Sequence, residues 1–159
     1  MSARANHATF VIERTLPGRP AHAFRFWSEP DLKQLWNSCH ADWETIECHF
    51  DFRNAGSEVR KWRMPDGQVF GVRMQYFEVV PAKRIVYAYE MTLNGRCLSA
   101  SLATVEFAPE GAETRMTFTE QAAVLDGSGT DMRRAGTNEG FDRLAAILER
   151  QGATSTDAP

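Results

Sequence analysis

Two glutamates lie among apolar residues in stretches whose pattern predicts β-strands, and they are the first candidates for chemistry. Glu120 alternates with Met116 and Phe118, so the three side chains should share one face of a strand. A carboxylate on an apolar face needs a hydrogen-bonding partner, a raised pKa or a ligand. The structural alternative is a Glu120 that is solvated at the strand end or paired with an arginine such as Arg133 or Arg134.

Glu90 is a similar candidate whose orientation the pattern leaves open. It alternates with Val86 and Ala88, and the opposite set is also apolar: Ile85, Tyr87, Tyr89 and Met91. Because both sets are largely apolar, alternation does not decide which of them points inward. If Glu90 or Glu120 faces a ligand, we expect general acid–base catalysis aided by a tyrosine such as Tyr76 or Tyr89.

Four tryptophans and ten phenylalanines give this chain a generous aromatic supply, which could stack on a flat or steroid-like ligand. Helical spacing accounts for Trp27 and Trp36 as core residues. Trp43 and Trp62 have no such explanation and are candidates for the rim of a pocket. The predicted ligand-binding residues are Trp43, Trp62, Phe70, Met74, Tyr76, Tyr89, Glu90, Phe118, Glu120 and Phe141.

Other chemistries have little support. Cys39-His40 and Cys48-His49 offer zinc-ligand types, but they lie nine residues apart, and Cys48 and His49 should point to opposite faces of a strand. There is no G-x-S-x-G elbow and no glycine-rich phosphate loop. The sequence therefore predicts no metal site and no cofactor. Three cysteines, with Cys97 the last, indicate reduced thiols rather than disulfides.

Size and charge favour one cytoplasmic domain. The 159 residues are 43% hydrophobic, enough for one substantial core. A net charge of -3 offers no basic stripe for nucleic acid, and no apolar run is long enough to span a membrane. We expect one domain over residues 8–151, with flexible tails at 1–7 and 152–159. The oligomeric state is left open.

The order of predicted elements defines an α+β domain. A strand over 10–16 is followed by two short helices, the first opened by Pro20 and the second following Pro30. Turn residues then separate six strands, with Asn94-Gly95 the most specific hairpin signal: 45–53, 57–64, 68–80, 84–93, 97–108 and 113–121. A long helix over about 131–151 should pack on one face of this seven-stranded antiparallel sheet.

Alternation and helical spacing also name the inner faces. The core side of the strand over 68–80 should carry Phe70, Val72, Met74 and Tyr76. The helix should bury the stripe Phe141, Leu144, Ala145 and Leu148. Gly136 and Gly140 lie four residues apart in the same helix, and we expect them to let its backbone approach the sheet closely.

Several local patterns, taken with the element order, carry a family resemblance over about residues 8 to 150. They are Pro20, Phe24, Trp27, the runs 29–36, 51–56, 80–81, 84–87, 101–107, 114–121 and 125–127, and Gly140, Phe141, Leu144 and Leu148. In these the chain resembles the START-like superfamily, in the branch of the activator of Hsp90 ATPase and the polyketide cyclases. The resemblance implies a helix-grip fold, a curved sheet around a long C-terminal helix. The branch usually has two glycines where this chain has Ala55-Gly56.

The resemblance implies three functions and does not choose among them, because proteins of this fold include lipid carriers, hormone receptors, cyclases and chaperone-linked proteins. The leading hypothesis, motivated by the aromatic supply and the sheet-plus-helix pattern, is a non-enzymatic or weakly catalytic domain that binds a small apolar or aromatic molecule between sheet and helix. The second is an interaction module with a chaperone partner, similar to the Hsp90 activators. The third is a cyclase-like or isomerase-like enzyme that uses Glu90 or Glu120.

Overall fold

The chain folds into a curved seven-stranded antiparallel sheet with two short helices after the first strand and one long helix at the end, as the sequence predicts. The computed structural model describes residues 4–37 and 40–155, with side chains as far as residue 151. The elements are β1 (Asn6–Pro17), α1 (Pro20–Ser28), α2 (Pro30–Trp36), β2 (Glu44–Phe50), β3 (Ser57–Arg63), β4 (Val69–Val80), β5 (Arg84–Leu93), β6 (Arg96–Glu110), β7 (Glu113–Val124) and α3 (Thr130–Ser155).

The strand order across the sheet is β1-β7-β6-β5-β4-β3-β2, and every neighbouring pair is antiparallel. Strands β2 to β7 therefore form a meander in which each strand pairs with the next one in the chain, and β1 pairs with β7 at one edge of the sheet. Asn94 and Gly95 both have positive φ, 50° and 80°, as a two-residue type I′ hairpin requires. The hairpin predicted at these two residues is confirmed.

Several predicted ends differ from those in the structure. β1 begins at Asn6, which pairs with Val124, so residues 6 and 7 belong to the sheet and not to a tail. α3 continues to Ser155, so residues 152–155 are helical. β2 ends at Phe50, because the chain turns directly after it. Of the remaining predicted tail residues, 4–5 have no regular secondary structure, and 1–3 and 156–159 lie outside the described part.

The turn between β2 and β3 places a residue other than glycine in the left-handed region. Ala55 has φ 65°, where an L side chain is strained. Its N–H donates to the carbonyl of Tyr76 at 3.0 Å, and the Tyr76 N–H donates to the Gly56 carbonyl at 2.9 Å. A Cβ at Gly56 would lie 2.1 Å from the carbonyl oxygen of Asp51. Gly56 therefore has no room for a side chain. At Ala55 a glycine would fit as well, because glycine adopts positive φ without strain.

The long helix α3 packs its buried residues Phe141, Leu144 and Leu148 on the inner face of the sheet. Arg14 of β1 attaches the helix at that side: its guanidinium lies 2.7 Å from the Asp142 carboxylate and donates to the Asn138 side chain at 3.1 Å. Because these contacts hold α3 near β1, the inner face of the strands further along the sheet is left partly uncovered.

The two glycines of α3 differ in their surroundings. A Cβ at Gly140 would touch the Trp36 ring at 3.8 Å, so this glycine lies against α2. A Cβ at Gly136 would meet nothing within 4 Å. The predicted close approach of the helix backbone to the sheet was therefore wrong at Gly136, which faces open space.

Candidate functional site

A cavity of about 410 Å³ lies between the inner face of the sheet and α3. Its lining comes from α1, α2, β4 to β7, the loop after β7, and one side of α3. The residues are Trp27, Trp36, Asn37, Val72, Met74, Tyr87, Tyr89, Met91, Leu98, Phe118, Val124, Asp126, Ser128, Gly129, Met132, Arg133, Gly136, Thr137, Gly140, Phe141 and Arg143. Most of this lining is aromatic or aliphatic, so the cavity suits an apolar guest.

Aromatic rings form one connected wall of the cavity. The Trp27 and Trp36 ring centroids are 4.7 Å apart, and the Phe141 ring lies 6.1 Å from Trp27 and 5.2 Å from Phe118. Trp27 and Trp36 are buried core residues, as expected, but they also line the cavity, which the sequence analysis assigned to Trp43 and Trp62 instead. Helical spacing identifies a buried face, and it does not reveal whether that face ends in a void.

β5 turns its tyrosines to the cavity and its glutamate away from it. Tyr87, Tyr89 and Met91 line the cavity. Glu90 lies on the opposite face, where its carboxylate is 2.6 Å from the guanidinium of Arg73. Glu90 therefore lies outside this cavity, and the prediction of Glu90 as a ligand-binding or catalytic residue of the cavity is wrong.

Glu120 is fully buried on the inner face, behind the cavity wall. Its two carboxylate oxygens accept hydrogen bonds from the Tyr89 hydroxyl at 2.6 Å and the Ser101 hydroxyl at 3.1 Å. Burial raises the pKa of Glu120, while the Tyr89 hydrogen bond, the charge of Arg133 and the Ser101 hydrogen bond each oppose that shift. Glu120 is not among the lining residues, so it reaches the cavity only through Tyr89.

Arg133 of α3 completes this polar group from the helix side. Its guanidinium donates to the Tyr89 hydroxyl at 3.3 Å, to the Met91 sulfur at 2.7 Å and to the Ser99 hydroxyl, and it lies 5.8 Å from the Tyr89 ring centre. Arg133 and Glu120 therefore contact the same phenol from two sides. Burial, and then the Glu120 charge, raise the pKa of Tyr89, so this phenol keeps its proton.

Of the other predicted site residues, Met74, Tyr89, Phe118 and Phe141 line the cavity. Trp43, Trp62 and Phe70 form a separate aromatic cluster near the β2 edge, with ring centroids 5.7 Å apart for Trp43 and Phe70 and 6.0 Å apart for Trp62 and Phe70. The structure does not bring this cluster into the cavity. Phe70 shares the inner face with Met74, but it lies beyond the cavity's end.

Tyr76 belongs to a buried charged network that the sequence analysis missed. The Lys33 ammonium lies 2.6 Å from the Glu58 carboxylate, and both side chains are only 2% exposed. The Tyr76 hydroxyl donates to the same carboxylate at 3.0 Å and accepts from Lys33 at 3.2 Å. Arg60 approaches the other Glu58 oxygen at 2.9 Å and donates to the Asn37 carbonyl at 2.8 Å.

Charge balance sets the protonation of this network, since two cations surround one carboxylate. Burial alone would raise the pKa of Glu58, but the charges of Lys33 and Arg60 and the hydrogen bonds from Lys33 and Tyr76 hold it below its ordinary value. Burial lowers the pKa of Lys33, and the neighbouring Glu58 opposes that shift. Glu58 is therefore ionised. The network of Lys33, Glu58, Arg60 and Tyr76 is buried beside the cavity and does not line it.

The cysteine and histidine pairs do not converge in the described part of the chain, and no group of three or more His, Cys, Asp or Glu residues is placed there to hold a metal. Cys48 is exposed and Cys97 is half-buried, both as free thiols. Cys39 lies outside the described residues. Within the described chain, no helix is long and apolar enough to cross a membrane.

The fold is that of a START-like domain. The family model described as "Activator of Hsp90 ATPase homolog 1-like protein" matches residues 18–149, and the chain belongs to this family. A search of curated proteins found no match.

Solved structures show the same fold over nearly the whole chain. A putative uncharacterized protein from Rhizobium leguminosarum is 43% identical, with a TM-score of 0.84 over 92% of this chain and 97% of that one. The Mll3558 protein from Rhizobium loti is 36% identical, with a TM-score of 0.84 over 92% of this chain and 100% of that one. An AHSA1-like protein from Aeromonas hydrophila shares the fold at 20% identity, with a TM-score of 0.65 over 91% and 94% of the two chains.

Proposed function

We propose that this protein binds a small apolar or aromatic molecule in the cavity between the sheet and α3. The observation that carries the proposal is the cavity itself, about 410 Å³ of space walled by aromatic rings. Cavities of roughly 300–1,000 Å³ with mainly apolar walls and a few polar groups are typical of small-molecule sites. A core required only for stability would close over these side chains, because protein interiors are close-packed.

A fluorescent probe tests this function directly. Phenylnaphthylamine is neutral and aromatic, and its emission rises when it leaves water for an apolar site. We expect saturable binding with one site per chain, accompanied by a rise in the melting temperature, because a ligand that binds only the folded state stabilises it.

A variant that fills the cavity locates the probe. Gly136 lies on the helix side that lines the cavity, and a side chain there meets no neighbour within 4 Å of its Cβ. Gly136→Leu should therefore abolish binding. Ala135→Leu is the matched control, because Ala135 is exposed on the same helix and does not line the cavity. If wild type binds no probe, or if both variants bind as wild type does, the proposed site is wrong.

Acid–base catalysis in the same cavity is a second candidate, and one observation favours it. Tyr89 lines the cavity and keeps its proton, and Glu120 orients its hydroxyl at 2.6 Å. In this step the Tyr89 O–H would turn from Glu120 to the carbonyl oxygen of a bound ketone, and solvent would remove the α-proton as the enol forms. Exchange of the α-protons of tetralone in heavy water, followed by NMR, should then be faster with wild type than with Tyr89→Phe. Equal rates at a concentration that saturates the cavity would remove this candidate.

A chaperone-binding role, suggested by the family description, has weaker support in this chain. The large apolar side chains that are exposed in the described part lie on six different elements: Val11, Leu35, Ile46, Phe77, Leu102 and Met132. A docking surface for another protein is usually a contiguous apolar patch with a polar rim. None of these elements contributes more than one of the six residues, so no single helix or strand of the described part carries an apolar patch of this kind.

A further inference from the structure

Arg133 is a cation in the cavity wall whose contacts within the described part of the chain are all neutral. Its guanidinium donates to the hydroxyls of Tyr89 and Ser99 and to the sulfur of Met91. No carboxylate of the described residues lies within 4.0 Å of it. These partners orient the guanidinium without neutralising it.

The two other half-buried arginines of the described chain, Arg14 and Arg60, each form an ion pair. Arg14 lies 2.7 Å from the carboxylate of Asp142, and Arg60 lies 2.9 Å from that of Glu58. A cation that is partly removed from water is stable when an anion lies beside it, because desolvation disfavours an unpaired charge. Arg133 differs from both in having no such anion, and it is the one of the three that lines the cavity.

The acidic groups near Arg133 are already engaged. Glu120 is separated from it by the Tyr89 hydroxyl, and it accepts from Tyr89 and Ser101. Asp126 at the cavity rim accepts from both the backbone N–H and the hydroxyl of Ser128, which chiefly lower its pKa. Each carboxylate therefore influences Arg133 over a distance without supplying a direct ion pair.

An apolar ligand over Arg133 would remove its remaining water and leave the charge without compensation. A ligand with its own anionic group would instead supply the missing partner, and a guanidinium has five N–H donors arranged to bind a carboxylate or a sulfonate. Arg143, the other arginine of the lining, has no such need, because it is exposed and donates to the Trp36 carbonyl at 3.0 Å.

Resting on the proposed ligand binding, we infer that the cavity selects amphipathic organic anions, molecules with an aromatic or aliphatic body and one carboxylate or sulfonate group. Arg133 binds the anionic group, and the wall of Trp27, Trp36, Phe118 and Phe141 receives the body. Tyr89 and Ser99 hold the guanidinium in place, and Glu120 in turn orients Tyr89.

A matched pair of probes tests the charge preference. Anilinonaphthalenesulfonate and phenylnaphthylamine share the same aromatic body and differ in one sulfonate. Arg133→Met keeps an apolar stem of similar length and removes the charge. It should weaken sulfonate binding about tenfold or more, as expected for a lost charge-assisted hydrogen bond, and change phenylnaphthylamine binding less than about twofold.

Two further variants separate the local contact from general effects. Arg134→Met removes the same charge from the exposed neighbouring residue and should leave both affinities near those of wild type. Arg133→Lys keeps the charge and should retain most of the preference for the sulfonate. If Arg133→Met is poorly folded, Arg133→Gln makes the same test, because it removes the charge and keeps a polar side chain; an unchanged preference for the sulfonate in a folded Arg133→Gln would overturn the inference.

The outcomes distinguish this inference from the proposed function. If neither probe binds wild type, ligand binding itself is wrong. If phenylnaphthylamine binds and Arg133→Met weakens both probes equally or neither of them, the cavity binds apolar molecules without reading an anion. A selective loss of sulfonate binding in Arg133→Met, with Arg134→Met unchanged, supports the assignment.

Discussion

The hydroxyl of Tyr89 lies 2.6 Å from the carboxylate of Glu120, so a residue of the cavity wall is hydrogen-bonded to a carboxylate with no exposed surface. A second glutamate, Glu58, is almost as deeply buried on the same side of the sheet, but it lies between Lys33 and Arg60. The two carboxylates have opposite electrostatic surroundings. They should therefore affect stability in opposite ways as the pH changes.

Wild type should be more stable than Glu120→Gln at low pH, and this advantage should shrink as the pH rises. Burial raises the pKa of Glu120 in the folded chain above its ordinary value of 4.5. The folded state therefore binds this proton more tightly, and the associated stabilisation is complete below the ordinary pKa and is lost as the pH rises through the folded pKa. Urea unfolding of both proteins from about pH 4 to about pH 8 measures the difference in free energy. A wild-type advantage that grows with pH would contradict the assignment.

Glu58→Gln should show the reverse dependence. The charges of Lys33 and Arg60 hold the pKa of Glu58 below 4.5, so its stabilising contribution is present above that value and is lost as the pH falls through the folded pKa. The advantage of wild type over Glu58→Gln should therefore shrink on acidification. The same urea series provides the measurement, and an advantage that is constant from neutral to acid pH would show that the carboxylate charge contributes nothing.

Lys33→Met should destabilise the fold by about 3–5 kcal/mol, because it leaves the buried Glu58 carboxylate without its closest cation. Combined with Glu58→Gln, it should cost less than the sum of the two single changes, as expected for groups that interact directly. The exposed pair Lys61 and Glu47, 3.1 Å apart, provides the control. Lys61→Met should cost less than about 1 kcal/mol. Strict additivity at Lys33 and Glu58 would contradict a coupled pair.

The fold could be predicted because its signals are local. Asn94-Gly95 specifies a hairpin by its two positive φ angles, and alternation on β4 correctly places Met74 and Tyr76 on the inner face. The ends of β1 and β7 could not be predicted, since Asn6 and Val124 are paired by the sheet and not by any property of the two residues. Long-range pairing extends strands past the point where composition changes.

The candidate site was predicted less completely, because a cavity is a property of packing between distant segments. Glu120 was singled out by alternation alone, but its partner Ser101 carries no sequence signal. Lys33 and Glu58 lie on an amphipathic helix and a strand rich in charge, and they are 25 residues apart. Trp62, on the same face as Glu58, is the one apolar residue that could have indicated the inward side of β3.

Ala55→Gly and Gly56→Ala should have opposite effects although the residues are adjacent. Ala55 is held at φ 65°, so glycine should stabilise the turn by about 0.5–1 kcal/mol. A methyl group at Gly56 would lie 2.1 Å from the Asp51 carbonyl oxygen and should cost about 2 kcal/mol or more. Thermal unfolding of the two variants gives the comparison. A loss of stability in Ala55→Gly would mean that the entropy of the unfolded chain outweighs the strain.

Trp27 and Trp36, whose tilted rings contact each other in the cavity wall, should also respond differently to replacement by phenylalanine. Trp36 Nε1 donates to the carbonyl of Phe26 at 2.8 Å. In a continuous helix that carbonyl would accept from the residue four positions on, which here is Pro30 and has no N–H. Trp36→Phe therefore leaves a buried carbonyl without a partner and should cost about 1–3 kcal/mol beyond the lost packing.

Trp27 Nε1 is buried and has no hydrogen-bonding partner among the described residues. Trp27→Phe removes this unsatisfied donor along with the larger ring, so its cost should come from packing alone and be smaller than that of Trp36→Phe. Urea unfolding of both variants measures the two losses in the free energy of unfolding, and the comparison is fair because each variant removes the same side-chain volume. Equal costs would mean that the bond from Trp36 to Phe26 adds nothing. A larger cost at Trp27 would mean that its N–H is satisfied in solution, for instance by water in the cavity.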